Sequence, residues 1–130
     1  MIRSLDHLVL TVASIEETVA FYCGVLGMEE VVFGEGRRAL AFGSQKINLH
    51  EAGREFSPRA MRPTPGSGDL CFLADRPLAD VVARIEVAGV AIEEGPVPRT
   101  GATGPIMSVY LRDPDDNLIE ISVPRPEQAG

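Results

Sequence analysis

Residues 5–28 read LDHLVLTVASIEETVAFYCGVLGM. The first eight, LDHLVLTV, are apolar and rich in branched side chains, which predicts a strand. Ser14 follows, with Glu17 three residues on. That spacing is a capping box, in which side-chain oxygens take N–H groups that the first helical turn leaves without partners. Ile15, Val19, Tyr22, Val25 and Leu26 then recur at helical spacing, and Gly27 suits the left-handed residue that ends a helix. Three strand-like runs come next, at residues 29–33, 38–42 and 46–50. Gly34-Glu35-Gly36 and Gly43-Ser44 separate them as turns. The order is βαβββ.

The same order is written a second time. Residues 69–74 (DLCFLA) predict a strand. Pro77 suits the first position of a helix, and Leu78, Val81, Val82, Ile85 and Ala88 form its apolar stripe up to Gly89. Strand-like runs follow at residues 90–93, 107–111 and 118–123. His7 precedes Gly27 by 20 positions, and Asp69 precedes Gly89 by the same 20. The second half is longer because of residues 95–105, a Gly/Pro-rich stretch expected to be a loop able to act as a lid. The pattern predicts an α+β fold of two tandem βαβββ modules forming a curved mixed sheet. It is read as a single domain over residues 1–130: module one 5–51, linker 52–67, module two 68–123 and a polar, frayed tail 124–130.

Composition narrows the function. The chain has 130 residues, of which 45% are hydrophobic and 24% charged, enough for a core without staples. A formal charge of -7 excludes a general polyanion binder, since phosphate contacts need a basic face. No apolar run approaches the roughly 20 residues of a membrane span. The start shows no signal-peptide pattern, so a cytoplasmic location is expected. Cys23 and Cys71 are too few for a disulfide scaffold and read as buried thiols. There is no Trp, so stacking on a ligand falls to five Phe, two Tyr or Arg.

Strand parity sorts the side chains into two faces. Leu8, Leu10 and Val12, Ile47 and Leu49, Leu70 and Phe72, and Ile119, Ile121 and Val123 make apolar faces expected to pack on helices. The opposite faces carry His7, Asn48, His50, Asp69 and Glu120, which a curved sheet would gather in a cavity. Two imidazoles and one carboxylate suit a divalent ion with open positions, and His7, His50 and Glu120 are the candidate set. Asp69 takes the place of His7 in the repeat, as a fourth ligand or as an acceptor for a ligand's N–H. The other reading of the same histidines is as hydrogen-bonded strand residues. Glu120 interrupts an apolar run, where a bare carboxylate is costly.

The stretches LDHLVLTVASIEETVAFYCGVLGM and YLRDPDDNLIEIS resemble the vicinal oxygen chelate superfamily, which includes glyoxalase I, extradiol dioxygenases, fosfomycin-resistance proteins and bleomycin-binding proteins. The middle, FGSQKINLHEAGREFSPRAMRPTPGSGDLCFLA, resembles a subgroup of small bacterial glyoxalase-domain and virulence-associated proteins, itself related to ring-cleaving dioxygenases. The resemblance implies two βαβββ modules meeting around a metal cavity, with ligands on their first and last strands: His7, His50, Asp69 and Glu120. Glyoxalase I has a His and then a Glu or Gln in each module, whereas module one here offers His and His, and module two Asp and Glu. Extradiol and fosfomycin-resistance enzymes take a His where this chain has Asp69. Asp116 stands where the family's turn has Gly, and Asp tolerates the left-handed conformation better than most residues.

The resemblance further implies a divalent cation (Zn, Ni, Mn or Fe), a small-molecule substrate with two neighbouring oxygens, and a homodimer. The favoured reading is a glyoxalase I (lactoylglutathione lyase)-like lyase or isomerase, with Glu120 as the carboxylate that moves a proton between adjacent carbons. An extradiol dioxygenase and a non-catalytic drug-binding resistance protein are the alternatives. Asn48, Arg38, Arg99, Ser108 and Tyr110 are the candidate substrate-side residues.

Overall fold

The structure is a computed structural model, and residues 1–126 are described. It contains β1 (His7–Val12), α1 (Ile15–Gly24), β2 (Glu29–Phe33), β3 (Arg37–Phe42) and β4 (Gln45–Glu51). It continues with β5 (Asp69–Leu73), α2 (Leu78–Val87), β6 (Glu94–Thr100), β7 (Pro105–Arg112) and β8 (Leu118–Pro124). The expected βαβββ order therefore appears twice, in two compact units that divide between Gly68 and Asp69.

In module one the sheet order is β1-β4-β3-β2, with β1 parallel to β4 and the remaining pairs antiparallel. Ser14 caps α1, its hydroxyl accepting the Glu17 N–H at 3.2 Å. Past the helix, Gly27 takes a positive φ of 77° and donates its N–H to the Cys23 carbonyl at 3.1 Å. Tyr22 and Thr18 of the helix are buried, as are Leu10, Val12, Leu40, Ile47 and Leu49 of the strands. These strand residues alternate with His7, Val9, Asn48 and His50, so period two alone separates the helix-covered face from the other.

Module two repeats the arrangement, with sheet order β5-β8-β7-β6 and β5 parallel to β8. Leu78, Val81 and Ile85 of α2 are buried, together with Val109, Leu111, Ile119 and Ile121 of the sheet. The turn before β8 is built by Asp113, whose carboxylate accepts the N–H groups of Asp115 and Asn117 at 2.9 Å each. Asp116 sits at φ 64°, the left-handed conformation expected for a residue in place of Gly.

Four expectations are corrected. Residues 90–93 are not a strand: Val90 donates its N–H to the Ile85 carbonyl and completes the end of α2. The sixth strand is instead Glu94–Thr100, inside the stretch expected to be a lid. Its Pro96 and Pro98 lack N–H groups but lie on an edge strand, where no ladder partner is missed on the outer side. Gly95, at φ 106°, lies so close to the Ser108 carbonyl that a Cβ would run into it. Finally, neither thiol is fully buried: Cys23 is half-buried and Cys71 exposed, the latter on the helix-free face of β5. The expected tail begins inside β8, since Pro124 is its last residue and the Arg125 N–H donates to the Pro105 carbonyl at 3.0 Å. Residues 127–130 of that tail lie outside the described residues.

Candidate functional site

The two parallel strand pairs share one register. In module one His7, Val9 and Thr11 lie beside Lys46, Asn48 and His50. In module two Asp69, Cys71 and Leu73 lie beside Leu118, Glu120 and Ser122. Neighbours across a ladder project to the same face, so each triplet pair marks the helix-free face of its sheet. Position by position, His7 matches Asp69, Asn48 matches Glu120, and His50 matches Ser122. His50 and Glu120, both expected as last-strand ligands, thus stand two residues apart in the shared register.

That register separates the two histidines. His7 lies opposite Lys46 and His50 opposite Thr11, four residues along the same strand pair. Four residues of strand span about 13 Å, whereas imidazole nitrogens must lie about 2 Å from a shared Zn. His7 and His50 therefore do not close on one ion. His7 is exposed and has its Nδ1 2.8 Å from the Asp6 carboxylate. Among the described residues no group of three His, Cys, Asp or Glu side chains is poised to hold a metal.

What each module does offer is a pair of donors two residues apart in register. Module one has the His7 imidazole and the Asn48 amide, and module two the Asp69 and Glu120 carboxylates. Asn48 is buried, and its Oδ1 has no hydrogen-bond partner. A buried amide oxygen left bare is costly, so a cation or a donor group fits it. Nitrogen and oxygen donors of this mixture are compatible with Zn, Mn or Fe.

Glu120 is the best-held of these side chains. Its carboxylate accepts a hydrogen bond of 2.6 Å from Ser108 on β7, and the Ser122 hydroxyl oxygen lies 3.4 Å from it. The two serine hydroxyls are 2.7 Å apart, and the Cys71 sulfur is 3.3 Å from Ser122. Burial pushes the Cys71 thiol up, and the Glu120 charge adds to this. Tyr110 is the cross-strand neighbour of Glu120. Its hydroxyl accepts from Arg99 Nε at 2.9 Å, and Glu94 takes the other end of that guanidinium at 3.3 Å. Arg99 and Tyr110, named from the sequence, are thus brought together, with Arg99 on strand β6 rather than on a lid.

Arg38 is not on this side. It lies on the helix-covered face of β3, where it donates to Glu16 of α1 at 2.7 Å and to Glu30 of β2. Its candidacy as a substrate residue is withdrawn, because both ends of its guanidinium are engaged within the module. The neighbouring Arg37 has the opposite parity and was missed. Its guanidinium lies 4.6 Å from the Phe56 ring centre and 5.4 Å from that of Phe33. Only the register of β3 against β4 decides which of the two adjacent arginines faces which way.

His50 has its own surroundings. It is 3% exposed, and neither ring nitrogen has a hydrogen-bond partner. Its ring packs edge-on against Phe56 at 5.6 Å. Burial holds its pKa below the ordinary histidine value, and the positive charge of Arg37 lowers it further. The segment expected to be a linker folds back over it. Pro58, Arg59 and Ala60, with Val9, Thr11 and His50, line a cavity of about 320 Å³.

The family model for the Glyoxalase/Bleomycin resistance protein/Dioxygenase superfamily matches residues 4–121. The chain is 61% identical over 122 residues to virulence protein STM3117 of Salmonella typhimurium, covering 94% of this chain and 85% of that protein. The glyoxalase domain-containing protein RDO1 of Mycosarcoma maydis is 56% identical, over 93% of this chain and 68% of its own. The crystal structure of the Salmonella protein superposes with a TM-score of 0.93 at 60% identity, covering 95% of this chain and 98% of the other. A lactoylglutathione lyase from Agrobacterium tumefaciens shares the fold, with a TM-score of 0.70 at 24% identity over 92% of both chains. This chain belongs to the Glyoxalase/Bleomycin resistance protein/Dioxygenase superfamily.

Proposed function

We propose that the protein is a divalent-metal-dependent lyase or isomerase of glyoxalase I type, acting on a small substrate with two neighbouring oxygens. The observation that carries this reading is the repeated register. It places His7 with Asn48, and Asp69 with Glu120, at matching positions on helix-free sheet faces. The His7 and Asn48 pair on one sheet and the Asp69 and Glu120 pair on the other are each proposed as donors, and His50 is not among them. A divalent cation held by such donors would supply Lewis acidity to charge developing on the substrate's vicinal oxygens.

Glu120 is the proposed base. It removes a proton from the carbon beside a carbonyl and returns it to the neighbouring carbon, so its free oxygen must stay oriented while its charge changes. Ser108 supplies that orientation by holding Oε2 at 2.6 Å. Ser122 stands behind it. Tyr110, the cross-strand neighbour of Glu120 and bonded to Arg99, is the proposed substrate contact.

The test combines metal analysis with turnover. Purified protein should carry about one equivalent of Zn, Ni, Mn or Fe, and His7→Ala and Asp69→Asn should each lower that content. Glu120→Gln should cut turnover of a 2-oxo-aldehyde conjugate by about 10² to 10⁴ while a substrate analogue still binds. Wild-type activity in the Gln variant would remove Glu120 from the role. Ring cleavage of a catechol with no isomerase activity would replace the lyase reading with a dioxygenase.

A further inference from the structure

We propose, resting on the reading of His7 and Asn48 as donors, that the substrate carries a carboxylate beyond its vicinal oxygens and that Arg59 receives it. Val9, the ladder neighbour of Asn48, lines the cavity of about 320 Å³. So do Thr11 and His50, the next facing pair on the same two strands. The cavity therefore runs on from the level of Asn48 for two residues, about 7 Å of strand. Pro58, Arg59 and Ala60, from the segment between the modules, complete its wall. Asn48 Oδ1 and both His50 ring nitrogens are buried without partners, so this face calls for a polar occupant.

Arg59 is the cation on that wall. It is exposed and forms no ion pair with a carboxylate among the described residues. The carboxylates that precede it in the chain are engaged. Glu55 accepts from the Gly53 N–H at 2.9 and 3.1 Å, and Glu51 lies 3.6 Å from Arg54. Two further cations gather at the same end of the sheet. The Arg37 guanidinium lies 4.6 Å from the Phe56 ring centre, and Phe56 packs on His50 at 5.6 Å. Lys46 Nζ lies 4.0 Å from the ring centre of Phe33, the ladder partner of Arg37. Contact with a ring face leaves a cation its charge. In a chain of net charge -7, three cations thus meet with no carboxylate paired to any of them among the described residues. A guanidinium offers paired N–H groups in one plane, which a planar carboxylate accepts side by side. A ring or a short carbon chain is long enough to join that carboxylate to vicinal oxygens at the level of Asn48. Val9, Pro58 and Ala60 supply apolar contact to the link.

The experiment is an amide ¹H–¹⁵N NMR titration of the full-length protein under nitrogen, once with EDTA and once with one equivalent of Zn. The probe is 3,4-dihydroxybenzoate, whose ring sets two neighbouring oxygens across from a carboxylate. Catechol lacks the carboxylate, and benzoate lacks the oxygens. In both series the probe should bind about tenfold or more tightly than catechol, as one charge-assisted hydrogen bond contributes. It should shift the amides of Thr11, Arg59 and Ala60. Arg59→Ala should erase the margin over catechol. Arg54→Ala, at an exposed arginine already beside Glu51, should keep it. Equal binding of probe and catechol, a margin that survives Arg59→Ala, or one erased equally by Arg54→Ala would each overturn the carboxylate site. Zn should strengthen the probe and catechol but not benzoate. Failure of that gain would count against the metal reading, while the margin measured in EDTA stands by itself.

Discussion

Ser108 has one hydroxyl hydrogen and two oxygen neighbours. The carboxylate of Glu120 has none to give, so Ser108 donates to it, Ser122 donates to Ser108, and the Cys71 thiol donates to Ser122. With its pKa raised, the thiol keeps its proton at neutral pH and can fill that role. The chain of donors points one way and ends on Glu120. Hydrogen bonds to a charged group contribute about 1.5–3 kcal/mol. Ser108→Ala should therefore lower the unfolding free energy by about that much in denaturant titrations at pH 7. At the same scale His50 makes stability depend on pH. Its folded pKa is below 6.5, so as pH falls the unfolded chain takes up the proton first. The stabilisation is fully present above about pH 6.5 and is lost as pH falls through the lower folded value. His50→Gln should flatten the acid limb of a stability-against-pH curve. An unchanged limb would show that His50 is not held neutral.

Helix α1 is tied to its sheet by more than apolar packing, because Glu16 in its first turn meets Arg38 of β3. The Arg38 side chain is 22% exposed, but that of Glu16 is 80% exposed, so solvent screens the pair and it adds little to stability. Arg38→Met should accordingly cost little stability and leave turnover and ligand binding unchanged, which separates it from the site. By contrast, Ile85 anchors α2 with 1% exposure. Ile85→Ala should cost about 2–5 kcal/mol by loss of transfer energy and creation of a cavity. The helix ends and the turn before β8 were legible from single residues, since Ser14, Gly27, Gly89 and Asp116 each answer a backbone need local to a few residues. The sixth strand was not. Its prolines and Gly95 read as a loop until β7 supplied a partner, and strand pairing is a property of two segments.

At the scale of the whole molecule, each sheet is covered by its helix on one face only. On the other face Val9 is 46% and Leu73 65% exposed, both on strands that end their sheets. Val32, on the edge strand β2, is 61% exposed. Apolar edges of this kind invite pairing with a second copy. A homodimer is therefore expected, with a light-scattering mass of twice 14.0 kDa at micromolar concentration. A particle of 14.0 kDa would rule it out. No helix among the described residues is long and apolar enough to cross a membrane.

The duplication, both helices, and the helix-facing sides of β1, β4, β5 and β8 follow from the sequence by itself, because 20-residue spacing, caps and period-two alternation are local properties. Module one's polar face was legible for the same reason, and so were Asn48 and Glu120 as members of such faces. What the tertiary structure alone decided is which polar residues are neighbours. Alternation assigns a residue to a face but says nothing about its distance along the ladder. His7 and His50 share a face and still stand four residues apart. Register also set Arg37 and Arg38 on opposite sides. The fold-back of residues 58–60 over His50 joins segments that no periodicity links. Contacts between elements are fixed by hydrogen-bond register and chain reversal, and neither is written in the spacing of one strand.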